Sequence, residues 1–415
     1  RWENEGQPQL MDSLTSALHS TTIFVAPAQC GKTEIILNWG LHSVVEDPAD
    51  MLIVQAEKTM AEDFAVRRRD KLIRSSDAMG DRLIQKNLQT AQFPGALLTL
   101  SWPSGSQAAS RPVPRVALDE RDDMVDDLDG QGDPVLLYAK RAQTFGAGAH
   151  VLATSSPKKP VLKGKAKPRS VHEAPAAHGI LALYNRGTRR RFYWQCPQCR
   201  EWFVPAWEML VWDEAATSQS ERIAVVLQAP CCGYPVAMAE RDALNRGGLW
   251  LADGETADAD GRIHGKAPVT AIDSYWLQGL EAAFVTWEEL VRKHLAAEEE
   301  FARTGSDTAR KTFTNVDLGR PYEAVSDEAE ALDAAVLQGR AEPYPLRVVP
   351  NGVRYLVGAV DVQGSYFDVL VRGFGVEDES WIVDSFQLAA VGDRALAPAT
   401  YAEDWELLLG AVIQR

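Results

Sequence analysis

Lysine and arginine are in short supply: 43 against 58 aspartates and glutamates over 415 residues, a formal net charge of −15. That deficit excludes a chain that simply coats nucleic acid, though a local basic channel remains compatible with it. Long apolar runs are absent too. No stretch approaches membrane-span length and no signal peptide is visible, so the reading is a chain without a membrane partner. Cysteine is scarce, five in all with two adjacent, which excludes a disulfide framework and fits a reducing setting. Apolar content of 46% allows a sizeable core, and the length allows two or three domains.

The most informative stretch is Thr22 to Thr33. Ile23 to Ala26 reads as a buried strand, a tight loop closes on Gly31-Lys32-Thr33, and helical spacing begins at Glu34. Strand, loop, Gly-Lys-Thr and helix is the order of a phosphate-binding loop, whose N–H groups hold phosphate, whose lysine reaches the β/γ oxygens and whose hydroxyl meets Mg²⁺. Ala26 stands where the first glycine is usual. Upstream, Gln7 is a candidate adenine reader.

Met51 to Ala56 and Leu97 to Leu100 read as further strands, with an arginine-rich helix between (Arg67, Arg68, Arg69, Arg74). Val116-Ala117-Leu118-Asp119-Glu120 supplies the loop's partner, an apolar strand ending in two acids, 86 residues after Thr33. Asp119 is expected to orient Mg²⁺ and Glu120 to polarise the attacking water. Together the two stretches imply ATP binding and hydrolysis. Seven acids crowd residues 119–129, and Glu298-Glu299-Glu300 reads as a solvated face. The strand His150 to Ser155 ends in hydroxyls, and Thr154 and Ser155 fit either γ-phosphate sensing or a hydroxyl-rich turn. Residues 158–169 carry six basic side chains, among them Lys158, Lys159, Lys163 and Lys165. They read as a nucleic-acid backbone contact or as a solvated linker.

Cys196-Pro197-Gln198-Cys199 has the spacing of a zinc knuckle. Cys231-Cys232 follows, but a regular second pair needs cysteine at position 229, which is Ala229. A four-thiolate zinc site and a ribbon that has lost its metal both stay open. Residues 251–265 read as a turn region, Trp287 to Phe301 as a helix, Thr312 to Tyr322 as a compact loop and 326–350 as a linker. Tyr355 to Val362 is a strand bearing Asp361, followed by the strands Phe367 to Gly373 and Ser380 to Phe386. This is how ribonuclease H-like nucleases begin.

In order, Gln7, Ala26 to Glu34, Phe93-Pro94-Gly95, Leu118-Asp119-Glu120, Ser155-Ser156-Pro157, Cys196 to Cys199, Asn315 to Tyr322 and Val360-Asp361-Val362-Gln363 resemble the large terminase subunit of tailed phages, GpA type. The resemblance implies an ASCE-type P-loop ATPase (1–170), a zinc-ribbon-like insert with a connecting region (171–345) and a truncated RNase H-like nuclease (346–415). It implies ATP-driven packaging of double-stranded DNA into procapsids in the host cytoplasm, through a small terminase subunit, a portal and a homo-oligomeric ring. It implies ATP with Mg²⁺ at Ala26, Gly31, Lys32, Thr33 and Asp119, and Mg²⁺ or Mn²⁺ at Asp361, with a zinc ion as a further candidate. Arg67 to Arg69 are the candidates for an arginine finger in trans. The rival readings are another P-loop helicase or translocase, and a non-enzymatic zinc-ribbon adaptor with a dead nucleotide site.

Overall fold

A computed structural model describes residues 7–104, 112–323, 342–376, 379–392, 394–398 and 400–413, the side chains of 7, 8, 391 and 413 excepted. The chain forms two compact units, 1–325 and 326–415. The sequence instead draws boundaries at 170 and 345.

Unit 1 is built on an 11-stranded sheet. In chain order its strands are β1 (Thr21–Val25), β2 (Met51–Val54), β3 (Gln85–Lys86), β4 (Thr90–Phe93), β5 (Ala96–Ser101), β6 (Arg115–Leu118), β7 (His150–Ser155), β8 (Arg190–Gln195) and β9 (Trp202–Phe203). A separate three-stranded sheet holds β10 (Leu210–Trp212), β11 (Val225–Gln228) and β12 (Pro235–Ala237). The strand β13 (Leu249–Leu251) returns to the main sheet, β14 (Glu255–Ala257) and β15 (Ile263–Gly265) form a hairpin within the expected turn region, and β16 (Ile272–Trp276) is central. The spatial order is β13-β8-β16-β1-β7-β6-β2-β5-β4-β3, with β9 paired to β8. From β8 to β5 all neighbours are parallel. The segment expected as an insert and connecting region therefore contributes four strands, β8, β9, β13 and β16, to the ATPase-like sheet itself.

Parallel strands covered on both faces read as near-continuous apolar runs. β1 shows why: Phe24 belongs to one apolar cluster, with Ile35, Ile36 and Trp39, while Ile23 and Val25 belong to the other, with Val116, Leu118 and Tyr138. Each fully buried side chain of this size stabilises by ~1.5–3 kcal/mol. The helix Trp287–Thr304 begins where Thr286 and Glu289 cap each other's backbone N–H and ends at Gly305, φ 71°. The stretch expected as a loop after Thr312 is a helical turn, Phe313–Asp317. Two of the three glutamates expected as a solvated face are engaged: Glu298 pairs with Arg310, and Glu299 accepts hydrogen bonds from Ser218 N (2.8 Å) and Oγ (2.5 Å).

His150 at the start of β7 is buried, and burial first of all holds its ring near a pKa of about 4. Its folded value lies below the unfolded one of about 6.5, so the stability tied to the neutral ring is present above pH 6.5 and lost as pH falls toward 4. The shift corresponds to a loss of about 3 kcal/mol. Urea unfolding against pH is expected to show this loss in the wild type, and a His150→Gln variant to lack it.

Unit 2 is an antiparallel sheet of β17 (Tyr355–Val362), β18 (Phe367–Phe374) and β19 (Ser380–Leu388). Helix Glu403–Ile413 packs on it through Trp405 against Phe367, ring centroids 5.3 Å apart. Of the expected linker, 326–341 lies outside the described residues.

Candidate nucleotide site

The carboxyl ends of β1, β2, β6 and β7 converge, which is where open α/β sheets bind ligands. From β1 the chain turns through residues 26–31, with Gln29 (φ 57°) and Gly31 (φ 91°) left-handed, into the helix Lys32–Val45. The turn is braced from behind. Ala28 N–H donates to Val316 O at 2.8 Å, and a Cβ on Gly319 would stand 2.7 Å from Pro27 N. The Asn315–Tyr322 stretch thus acts as a buttress under the loop.

Asp119 is the centre of the site and is buried. Its Oδ2 accepts from Thr33 Oγ1 at 3.1 Å and from Gln55 Nε2 at 3.4 Å, and its Oδ1 from Thr154 Oγ1 at 3.0 Å. Burial first, then the neighbouring Glu120 charge, raises its pKa, and the three donors oppose that rise. A buried carboxylate beside a hydroxyl, with its anion disfavoured by burial, fits a divalent cation, whose charge would stabilise that anion.

Glu120 is left-handed (φ 51°), a conformation that costs a non-glycine residue about 1 kcal/mol or more and that aims its carboxylate between two lysines. Lys32 Nζ lies 3.3 Å away and Lys158 Nζ 3.5 Å. Lys32 also donates to Pro27 O (2.8 Å) and Ser156 Oγ (3.1 Å). Two adjoining clefts of about 370 and 420 Å³ share Thr33, Arg68 and Glu120 in their linings. A larger one of about 740 Å³, lined by Trp207, Trp276 and Arg191, shares no residue with either.

Of the residues expected here, Lys32, Thr33, Asp119, Glu120 and Thr154 come together. Ala26 lies below the loop, its carbonyl facing Lys32. Ser155 is turned away: its hydroxyl accepts from Asp122 N–H (3.0 Å) and donates to Ser156 O (2.8 Å), so Ser156 is the hydroxyl that meets Lys32. Gln7 opens the helix Gln7–Ser13, but its side chain lies outside the described residues. Among the three arginines, Arg69 is buried and bound to Asp70 and to the carbonyls of Asn87 and Leu88. Arg68 lines both clefts; Arg67 lines neither but pairs with Asp63, which lines the 420 Å³ cleft.

The basic stretch divides in two. Lys158 pairs with Asp123 (2.6 Å) as well as Glu120, and Lys159 with Asp126 (3.1 Å), whereas Lys163, Lys165 and Lys167 are exposed. Sequence reasoning missed Asp122, which it counted within an acidic run. Its buried carboxylate accepts the N–H groups of Lys158, Lys159 and Ile180, pinning the start of the basic stretch and the start of the helix Ile180–Asn185 two residues from Glu120.

Elsewhere, the sulfur atoms of Cys196, Cys199, Cys231 and Cys232 lie within 4.8 Å of one another. Burial pushes the Cys196 thiol up, but the N–H groups of Cys199 and Gln198 together with the thiols of Cys232 and Cys199 bring it down to about 7. In unit 2, Asp361 is exposed on β17 and accepts from Gln363 Nε2 at 2.8 Å. Directly across from it on β18 stands Asp368, which the sequence reading passed over. Asp384 is held by Arg347.

Compared with known proteins, residues 1–250 match the family "Phage terminase large subunit gpA, ATPase domain" and residues 272–415 match "Terminase large subunit gpA, endonuclease domain". The large terminase subunit of Escherichia phage lambda is 25% identical over 303 residues, covering 68% of this chain and 42% of that protein. That of Enterobacteria phage P21 is 24% identical over 415 residues, covering 92% and 58%. The chain thus spans about half the length of these curated relatives. Among solved structures, the HK97 bacteriophage large terminase aligns with a TM-score of 0.39 at 12% identity, covering 91% of this chain and 62% of that one. No helix among the described residues is long and apolar enough to cross a membrane.

Proposed function

The chain belongs to the gpA family of phage terminase large subunits, and from that premise we propose that it is the motor of a DNA-packaging machine, hydrolysing ATP to drive double-stranded DNA into procapsids. In this reading a metal-dependent endonuclease, to which residues 272–415 correspond, cuts the concatemer. The observation that carries the reading is the Asp119 carboxylate, held by Thr33, Gln55 and Thr154 at the meeting of four strand ends. ATP with Mg²⁺ is the proposed ligand. Thr33 and Asp119 would hold the ion, which supplies charge neutralisation on the phosphates. Lys32 contacts the β/γ oxygens, Glu120 orients and polarises the attacking water, and Thr154 and Ser156 register the γ-phosphate. Asp361, with Mg²⁺ or Mn²⁺, is assigned to the nuclease, and a structural Zn²⁺ to Cys196, Cys199 and Cys232 with Cys231 or a non-cysteine group as the fourth ligand. The working form is a homo-oligomeric ring on a portal, with a small terminase subunit, in the host cytoplasm; Arg68, which lines both clefts of its own chain, is placed to reach the phosphates in cis.

DNA backbone contact is assigned to the exposed half of the basic stretch. Each lysine–phosphate contact releases roughly one counterion and steepens the salt dependence of binding accordingly. Neutralising Lys163 and Lys165 together is expected to lower the slope of log K against log salt by about 2 while leaving DNA-free ATP turnover intact. Lys158→Ala is expected to alter turnover, since its ammonium sits on Glu120. An unchanged slope in the Lys163/Lys165 variant returns the stretch to a linker. Release of inorganic phosphate from ATP, stimulated by linear DNA and coupled to nuclease protection of that DNA inside procapsids, tests the whole reading.

A further inference from the structure

We propose that the zinc ion is held by Cys196, Cys199, Cys231 and Cys232, with Cys231 standing in for the ligand that position 229 lacks, and that it ties the edge of the main sheet to the small sheet β10–β12. The inference rests on the zinc reading of the same thiols and goes beyond it by fixing the fourth ligand and the ion's structural task.

The two cysteine turns are copies of one another. In the first, Arg200 N–H donates to Cys196 O at 2.9 Å and Cys196 N–H to Glu201 O at 2.9 Å. In the second, Gly233 N–H donates to Ala229 O at 2.9 Å and Ala229 N–H to Tyr234 O at 2.9 Å. Both turns carry proline in second place, at Pro197 and Pro230, and a left-handed residue in fifth place, Arg200 (φ 64°) and Gly233 (φ 76°). Position 229 is therefore the structural equivalent of Cys196, and Cys232 of Cys199. Cys196 and Ala229 are alike in burial, each 1% exposed. The ligand missing at 229 reappears two residues on, at the turn's third position, where Cys231 takes the place that Gln198 holds in the first turn.

The sulfur positions suit one ion. Tetrahedral Zn–S bonds of about 2.3 Å put neighbouring sulfurs about 3.8 Å apart. Cys196 Sγ lies 3.5 Å from Cys232 Sγ, Cys199 Sγ 3.2 Å from Cys231 Sγ, and all four fall within 4.8 Å of one another. Adjacent cysteines seldom share a metal because successive side chains diverge, but in this turn residues 231 and 232 both face the first knuckle. That knuckle joins β8 to β9 and the second joins β11 to β12, so the ion bridges two sheets that share no strand pairing.

The test counts zinc by native mass spectrometry in four forms of the purified chain: wild type, Cys199→Ser, Cys231→Ser, and Cys231→Ser combined with Ala229→Cys. The wild type is expected to hold about one zinc. Cys231→Ser and Cys199→Ser should each lose more than about 100-fold in affinity, since disturbing mere outer-shell partners of a ligand already costs 10–100-fold. The double variant should regain the metal, because position 229 occupies the regular ligand place. The thiolate-to-metal absorption of the cobalt-substituted protein should fall in Cys231→Ser and return in the double variant, a readout independent of yield. A zinc-free wild type with four free thiols overturns the zinc reading itself. Zinc at wild-type affinity in Cys231→Ser leaves that reading standing and overturns the ligand assignment. A double variant that stays metal-free overturns the equivalence of the two turns.

Discussion

Glu120→Gln is expected to bind ATP with near wild-type affinity and to lose turnover by roughly two to four orders of magnitude, the scale set by a positioned acid–base group. The separation follows from the geometry. The loop, Lys32 and Thr33 are shaped by the helix N-terminus and by the Val316–Gly319 buttress, and neither brace involves the Glu120 side chain. Glutamine keeps the size of the side chain and its left-handed backbone but cannot take a proton from water. Full turnover in Glu120→Gln would remove Glu120 from the chemistry.

The second large effect is expected at Asp361, in the endonuclease reaction proposed for this family. There Asp361→Ala should lower Mg²⁺- or Mn²⁺-dependent plasmid cutting by about three orders of magnitude or more, while ATP turnover persists. Loss of a metal ligand forfeits several kcal/mol of charge stabilisation in the transition state, and each 1.36 kcal/mol is tenfold in rate. Two carboxylates facing each other across a strand pair are mutually destabilising by a few tenths of a kcal/mol or more, and Asp361 with Asp368 is such a pair, which a divalent ion would neutralise. Wild-type cutting by Asp361→Ala would detach the nuclease from this strand.

The candidate nucleotide site could be proposed from sequence because its residues lie in short, contiguous runs: Gly31-Lys32-Thr33 after one apolar strand and Asp119-Glu120 after another. Periodicity alone located β1, β2, β6 and β7, since strands buried on both faces leave unbroken apolar runs. What the sequence hid depends on distant pairing. Gln55 reads as any residue after a strand until β2 is known to lie beside β6. Asp122 reads as one more acid until Lys158, Lys159 and Ile180 turn their N–H groups onto it. Val316 and Gly319 look like loop residues until they are seen beneath Pro27. The reading of 171–345 as a ribbon-like insert and connecting region did not anticipate β8, β9, β13 and β16 in the main sheet, because strands of two to six residues carry little periodic signal. Cys231 was named with the other three thiols, but the spacing left its part open, because spacing counts positions whereas the turn chooses which side chains face the other knuckle.

The most direct single measurement is phosphate release from saturating Mg²⁺–ATP by the wild-type chain beside Lys32→Ala. The account predicts turnover in the wild type and a loss of at least two orders of magnitude in Lys32→Ala, because the variant lacks the point charge on the transferring phosphate. Equal rates in the two proteins would contradict it, since hydrolysis would then be occurring somewhere other than this loop.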